Sequence, residues 1–226
     1  MSNENIQRLP LEVLQYIFIL SGNPHFPRVS QNFYKAANSQ TSVKTQWLLC
    51  KYKNDYKKAF FRGLKWKFFN KEILNQLDNL YQQQSIRDGV IPPPPEILCE
   101  GRPIPQWFFG DSNDRLLELT EILLKRKASP NESEGYPIVK SVQIGNIRMV
   151  KLLIHYGAKV DIRDNLALSV GVGKGNLEMV KLLLDHGAQP SSKTLKYAVE
   201  KGFGEIFELL KCYGAIEDLS VVNAFE

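Results

Sequence analysis

The side chains best suited to catalysis in this sequence are three histidines, His25, His155 and His186, and three cysteines, Cys50, Cys99 and Cys212. None of the histidines has companions at a spacing that frames a nucleophile and its base. His155 and His186 fall one position apart near the ends of two matching stretches, where the last turn of a helix is expected. A ring nitrogen there suits exposed carbonyls and the negative end of the dipole. The cysteines are odd in number, far apart and never paired as C-x-x-C, so they suggest neither a disulfide framework nor a zinc site, and buried thiols are expected. The glycine-rich tract Gly171-Val172-Gly173-Lys174-Gly175 lacks the spacing of a phosphate-binding loop and lies inside a repeated unit rather than after a strand. No serine or cysteine is framed as a nucleophile. The expectation is a protein that is not an enzyme, with no catalytic residues, metal or cofactor, whose chemistry is recognition.

A second kind of chemistry is charge. The net charge of +5 is uneven. Lys44, Lys51, Lys53, Lys57, Lys58, Arg62, Lys65, Lys67 and Lys71 crowd a segment whose one acidic residue is Asp55. Tyr52, Tyr56, Phe60, Phe61, Trp66, Phe68 and Phe69 are interleaved with them, a pattern that serves phosphates and stacked bases in nucleic-acid binders. Phe60, Leu64, Lys67 and Phe68 also stand at i, i+4, i+7 and i+8, as on one face of an amphipathic helix whose lysines keep their charges in water. The helix is the preferred reading and nucleic acid an unlikely partner.

The elements that must carry recognition are repeated. Residues 145–158 and 175–188 read GNIRMVKLLIHYGA and GNLEMVKLLLDHGA, thirty residues apart. At the same offset Leu117, Leu119, Leu123 and Ala128 form an earlier copy, and residues 202–215 form a later one after twenty-seven residues. Leu177, Val180, Leu183 and Leu184 recur at helical spacing, which predicts an outer helix with one face toward a stack. Gly157, Gly187 and Gly214 then end the helices, with Lys127 in the equivalent place of the first copy. A shorter inner helix precedes each outer one. Such units bury too little apolar surface to fold singly and are stabilised by their neighbours.

These features resemble the ankyrin repeat. Pro137-Ile138 lies where its T-P-L-H signature starts, Ser141, Gly171 and Ala198 hold its small position, and Gly175-Asn176, Val180 to Leu184 and Gly187-Ala188 close it. The threonine and histidine that link neighbouring turns are absent at Tyr136 and Val139, and the shortened period implies stubby fingers. The resemblance implies about four repeats over 104–217. Partner contacts are then expected on the exposed side of the inner helices, at Lys140, Gln143, Lys174, Lys196 and Tyr197.

The chain opens differently. Leu9-Pro10-Leu11-Glu12-Val13-Leu14 leads into Ile17-Phe18, with Leu11, Leu14 and Phe18 on one helical face and Leu9, Val13, Ile17 and Leu20 on another. A short helix apolar on two faces needs two partners. Ser21-Gly22-Asn23-Pro24 ends it, and a second helix is expected from about Ser30 to Ala37. Leu9-Pro10, Glu12 to Leu14, Ile17-Phe18, Val29-Ser30, Phe33-Tyr34 and Trp47 resemble an F-box, with a shorter stretch between Ile17 and Val29 than is usual. The chain is thus similar to fungal proteins that join an F-box to ankyrin repeats. That resemblance implies docking on a Skp-type adaptor of a cullin complex through Leu9, Pro10, Val13, Leu14, Ile17, Phe18, Val29 and Phe33, with a target protein held on the repeats. A scaffold without a ubiquitin role is the alternative.

The expected architecture is all-α: a small N-terminal helical F-box-like module at 1–50, a helical connecting region at 51–100 with a stiff proline run at 92–95, and an ankyrin-type repeat solenoid at 101–226. The polar first residues lack the core of a signal peptide and no apolar run is long enough to span a membrane, so an intracellular protein is expected.

Overall fold

The computed structural model describes residues 9–87 and 99–218, and the proline run lies outside them. Among the described residues the regular elements are twelve α-helices and two 3-10 turns. Contacts divide the chain into two units, with the boundary after Pro95.

In the first unit, α1 spans Leu11–Ser21. Pro10 stands as its cap, and the helix ends at Gly22 with φ of 58°. A 3-10 turn, Phe26–Arg28, leads to α2, Gln31–Asn38, where the Ser30 hydroxyl accepts the Phe33 N–H at 3.3 Å. Then follow α3 (Thr41–Lys51), α4 (Tyr56–Gly63) and α5 (Lys71–Arg87). Residues 51–87, read from sequence as the start of a connecting region, therefore contribute α4 and α5 to this unit.

Trp47 is the centre of that unit. It is fully buried, stacked on Phe18 at 5.7 Å and met edge-on by Trp66 at 5.4 Å and Phe68 at 5.8 Å. Its indole N–H has no hydrogen-bond partner among the described residues, a cost of about 1–3 kcal/mol that burial against three aromatic rings offsets. Lys51 lies 5.0 Å from the Trp47 ring and donates to the Gly22 carbonyl at 2.7 Å, which ties α3 to the end of α1. Lys51 is thus a structural lysine. Polar contacts join α3 to α5: Thr45 donates to Gln76 at 2.6 Å and Thr41 to Glu72 at 2.7 Å.

The single amphipathic helix expected through Lys67 and Phe68 is not formed. The chain leaves α4 at Gly63, against which Phe69 packs so closely that a Cβ there would lie 2.8 Å from its ring. The turn that follows folds Trp66 and Phe68 back toward Trp47.

In the second unit, the 3-10 turn Gln106–Phe109 precedes α6 (Asp114–Lys125). Three helix pairs follow: α7 (Glu132–Ile144) with α8 (Ile147–His155), α9 (Ile162–Gly173) with α10 (Leu177–Asp185), and α11 (Ser192–Glu200) with α12 (Gly204–Cys212). The first repeat thus keeps its outer helix and reduces its inner one to a turn. Burial runs in columns at the repeat spacing. Phe108, Ile138, Leu168 and Leu195 form the inner column, and Leu123, Leu153, Leu183 and Leu210 the outer one, all buried. Ser141, Gly171 and Ala198 sit between them, small because an inner and an outer helix cross there. Leu177 corrects the expected stacking face: it is exposed, and Met179 takes the buried place.

Neighbouring repeats are joined by one recurrent hydrogen bond. The N–H groups of Ser129, Lys159 and Gln189, equivalent at thirty-residue spacing, donate to the Arg102 carbonyl, the Asn131 side chain and the Asn165 side chain. Two asparagines so perform the linkage for which threonine and histidine are missing. Asn131 also donates to the Gly157 carbonyl at 2.9 Å. The shortened fingers are left-handed turns, Ser133 to Gly135 and Arg163 to Asn165, each residue having φ between 51° and 74°.

Candidate interaction surfaces

The first surface grows from the two-faced α1. Leu14 and Phe18 turn inward, and Leu14 joins Phe33 and Ala36 in a cluster against which Phe26 packs. Leu9, Val13, Tyr16 and Leu20 lie on the opposite side, with exposures of 36%, 41%, 64% and 60%. Ile17 is half-buried at the edge of this stripe. Val29 and Tyr34 add exposed apolar side chains at the 3-10 turn and on α2. A contiguous apolar stripe on a short helix loses hydration free energy unless another surface covers it.

The residues expected to bind an adaptor therefore separate. Leu9, Pro10, Val13 and Val29 are exposed and Ile17 partly so, whereas Leu14, Phe18 and Phe33 are buried. For those three the expectation of direct contact is corrected: they form the platform that fixes α1 against α2 and α3. Tyr16, Leu20 and Tyr34 also belong to the exposed surface; Leu20 and Tyr34 figure in the sequence pattern, whereas Tyr16 does not. A helical projection from Leu9 places Tyr16 and Leu20 with Val13, so that signal is present in the chain.

The second surface is the outward side of α7, α9 and α11. Lys140 is partly exposed and donates to Gln143 at 2.8 Å. Lys174 is exposed and has no ion-pair partner among the described residues. Lys196 faces Glu200 at 3.8 Å, and Tyr197 lies under Lys201 at 5.7 Å. Of the five residues expected from sequence, Gln143, Lys174 and Tyr197 are exposed and Lys140 and Lys196 partly so, and Lys193 and Lys201 are exposed as well.

Among the described residues, four titratable groups are shifted, each by a surface hydrogen bond. Asp55 is held below the usual carboxylate value by hydrogen bonds from Lys58. Glu121 and Glu217 raise Lys125 and Lys211 through hydrogen bonds, and Tyr213 is raised by its hydrogen bond to Asp185. His155 ends α8, and His186 follows α10 with Nδ1 2.8 Å from the Leu182 carbonyl, as helix-end rings. Cys99 is buried, but Cys50 and Cys212 are exposed, against the expectation of three buried thiols. Cys212 ends the last described helix, with no following repeat to cover it among the described residues. No group of three or more histidine, cysteine, aspartate and glutamate side chains among the described residues is arranged to hold a metal. No described helix is long and apolar enough to cross a membrane.

The basic aromatic segment offers few rings for stacking bases. Phe60, Phe69 and Tyr56 are buried and Trp66 and Phe68 partly so.

Residues 112–194 match the family model described as Ankyrin repeats (3 copies), which spans α6 to the first turn of α11. Residues 7–38 match the one described as YDR249C N-terminal domain, which spans α1 and α2. No match was found among curated proteins.

Proposed function

We propose that this chain is a substrate-receptor subunit: its N-terminal unit docks on a Skp-type adaptor of a cullin-based ubiquitin ligase, and its ankyrin repeats hold a target protein. Ankyrin repeats carry a protein-interaction role, and the ubiquitin-ligase part of the reading rests on the α1 surface. The observation that supports it is the exposed apolar stripe of Leu9, Val13, Tyr16, Ile17 and Leu20, within the segment that resembles an F-box. Covering side chains of this size is worth roughly 1.5–3 kcal/mol each when burial is complete, so a complementary adaptor face has ample driving force. The buried Leu14, Phe18 and Phe33 hold α1 rigid, which lowers the ordering cost of association. Transfer of ubiquitin belongs to other subunits, and the chain supplies position.

The test is co-purification with a Skp-type adaptor. Val13→Asp and Leu20→Asp place charges on the stripe without entering the core, so both should abolish the complex while the helical circular dichroism spectrum is unchanged. Leu14→Asp is the wrong probe, since it would disrupt the core. Failure of the intact chain to bind the adaptor would overturn the ligase reading and leave a scaffold.

A further inference from the structure

The net charge of the chain is not shared between its two units. Among the described residues of the first unit, twelve lysines and arginines stand against four carboxylates, Glu12, Asp55, Glu72 and Asp78, whereas in the second unit sixteen stand against sixteen. Four carboxylates cannot neutralise twelve cations, so eight positive charges remain however the ion pairs are drawn. Three of the four are engaged already: Asp55 faces Lys58 at 2.8 Å, Glu72 accepts the Thr41 hydroxyl and Asp78 accepts the Tyr56 hydroxyl. Like charges at this density repel one another, and a polyanion relieves them.

The excess is concentrated, with nine of the twelve cations between Lys44 and Lys71. The amphipathic helix that would account for them from sequence is not formed, since the chain leaves α4 at Gly63. Along the turn that follows, Lys65 and Lys67 are exposed, while Trp66 and Phe68 are half-buried with their rings against Trp47. From α3, Lys44 lies 5.8 Å from the Phe68 ring and Lys51 lies 6.0 Å from the Trp66 ring, and those two rings stack at 6.0 Å. Four lysines thus surround one pair of rings. Arg62 near the end of α4 and Lys71 at the start of α5 are exposed on either side of the turn. Neither α3, α4 nor the turn contains a carboxylate; Asp55 caps the far end of α4, and Glu72 lies beside Lys71.

The kind of polyanion follows from what this region lacks. No large apolar side chain between Tyr34 and Leu80 is exposed, so there is nothing to insert into a lipid surface. The rings meet Trp47 instead of solvent, which leaves unpaired bases little to stack on. Protein interfaces are depleted in lysine and enriched in arginine, whereas eight of these nine cations are lysines. Lysines act on phosphate as point charges and need no fixed register.

We infer that this lysine turn, with Lys44, Arg62, Lys65, Lys67 and Lys71, binds the phosphate backbone of double-stranded nucleic acid without reading its sequence. A duplex carries one charge per about 1.7 Å of its axis, so several phosphates lie within reach of the turn at once. The site uses neither the apolar stripe of α1 nor the repeats, and it stands or falls apart from the ligase reading.

The test uses the full chain with a fluorescent DNA duplex of about 20 base pairs, a single strand of equal charge, vesicles containing phosphatidylserine and a Glu-rich peptide. The duplex should bind most tightly, its affinity falling roughly fiftyfold between about 100 mM and about 300 mM salt, the dependence of about four phosphate contacts. Lys65→Gln with Lys67→Gln should weaken duplex binding at least about tenfold at about 100 mM salt and halve its salt dependence, with the helical circular dichroism spectrum unchanged. Arginine at both positions should retain binding. Arg62→Gln, which leaves the turn intact, should weaken it about threefold. Val13→Asp and, on α10, Lys181→Gln should leave it unchanged. Absence of duplex binding, tighter binding of the single strand, the vesicles or the peptide, or an equal loss in the Lys181→Gln variant would overturn the inference.

Discussion

The two units differ in what they leave at the surface. The repeats bury most of their large aliphatic residues in columns and leave Ile144, Leu177 and Ile216 exposed singly, whereas the first unit buries aromatic rings around Trp47 and exposes Leu9, Leu11, Val13, Tyr16 and Leu20 together at and beside one helix. A repeat stack obtains its partner surface from residues that stacking does not use. A small helical unit with more apolar residues than its core can take obtains one from the excess. The difference is one of surface chemistry, with apolar side chains exposed along α1 and charged ones on the repeats.

The largest expected effects come from removing the centre of each core. Trp47→Ala should destabilise the first unit by about 3–5 kcal/mol, and Leu183→Ala the repeats by about 2–5 kcal/mol, in equilibrium denaturant unfolding. A loss below about 1 kcal/mol at Leu183 would show that the column assignment is wrong. Next is Asn131→Ala, which removes bonds to both Gly157 and Lys159 and should cost about 1–2 kcal/mol in the repeats only. An unchanged denaturation midpoint would mean that packing alone joins those repeats.

Lys127 sharpens the comparison from within the repeats. Its φ is 64°, in the left-handed region that Gly157, Gly187 and Gly214 occupy with φ of 86°, 96° and 91°. Lys127→Gly should therefore stabilise the repeats by about 0.5–1 kcal/mol, since relief of Cβ strain exceeds the added unfolded-state entropy. Destabilisation would show that the lysine side chain compensates for its backbone.

The smallest effect is in the first unit and depends on pH. Lys58 lowers the Asp55 carboxyl in the folded state, so folding favours the ionised form. The stabilisation is full above the unfolded value of about 4 and disappears as the pH falls through the lower native value. Asp55→Asn should thus unfold at lower urea than the parent at neutral pH and approach it in acid. A difference that persists in acid would assign the effect to the cap rather than to the charge.

The repeat fold is legible in the sequence because its signal is repeated. Leu153 and Leu183, or Gly157 and Gly187, identify each other by register alone. The first inner helix is not legible as a turn, since the segments in register with Gln106 to Phe109, at 136–139 and 166–169, are helical. The end of α4 is hidden for another reason: Phe60 to Phe68 keeps helical spacing through Gly63, while the close approach of Phe69 to Gly63 is a tertiary contact that local spacing does not specify. On α1 the two apolar faces are evident, but which of them faces inward depends on Phe26 and Phe33, brought there by a turn that local periodicity does not specify.

The central claim is that the adaptor is met by α1 rather than by the repeats, and amide hydrogen exchange of the full chain with and without a Skp-type adaptor tests it most directly. The account predicts slowed exchange from Leu11 to Tyr34 and unchanged exchange in α7 to α12. Slowed exchange confined to the repeats, or none in α1 at saturating adaptor, would contradict it.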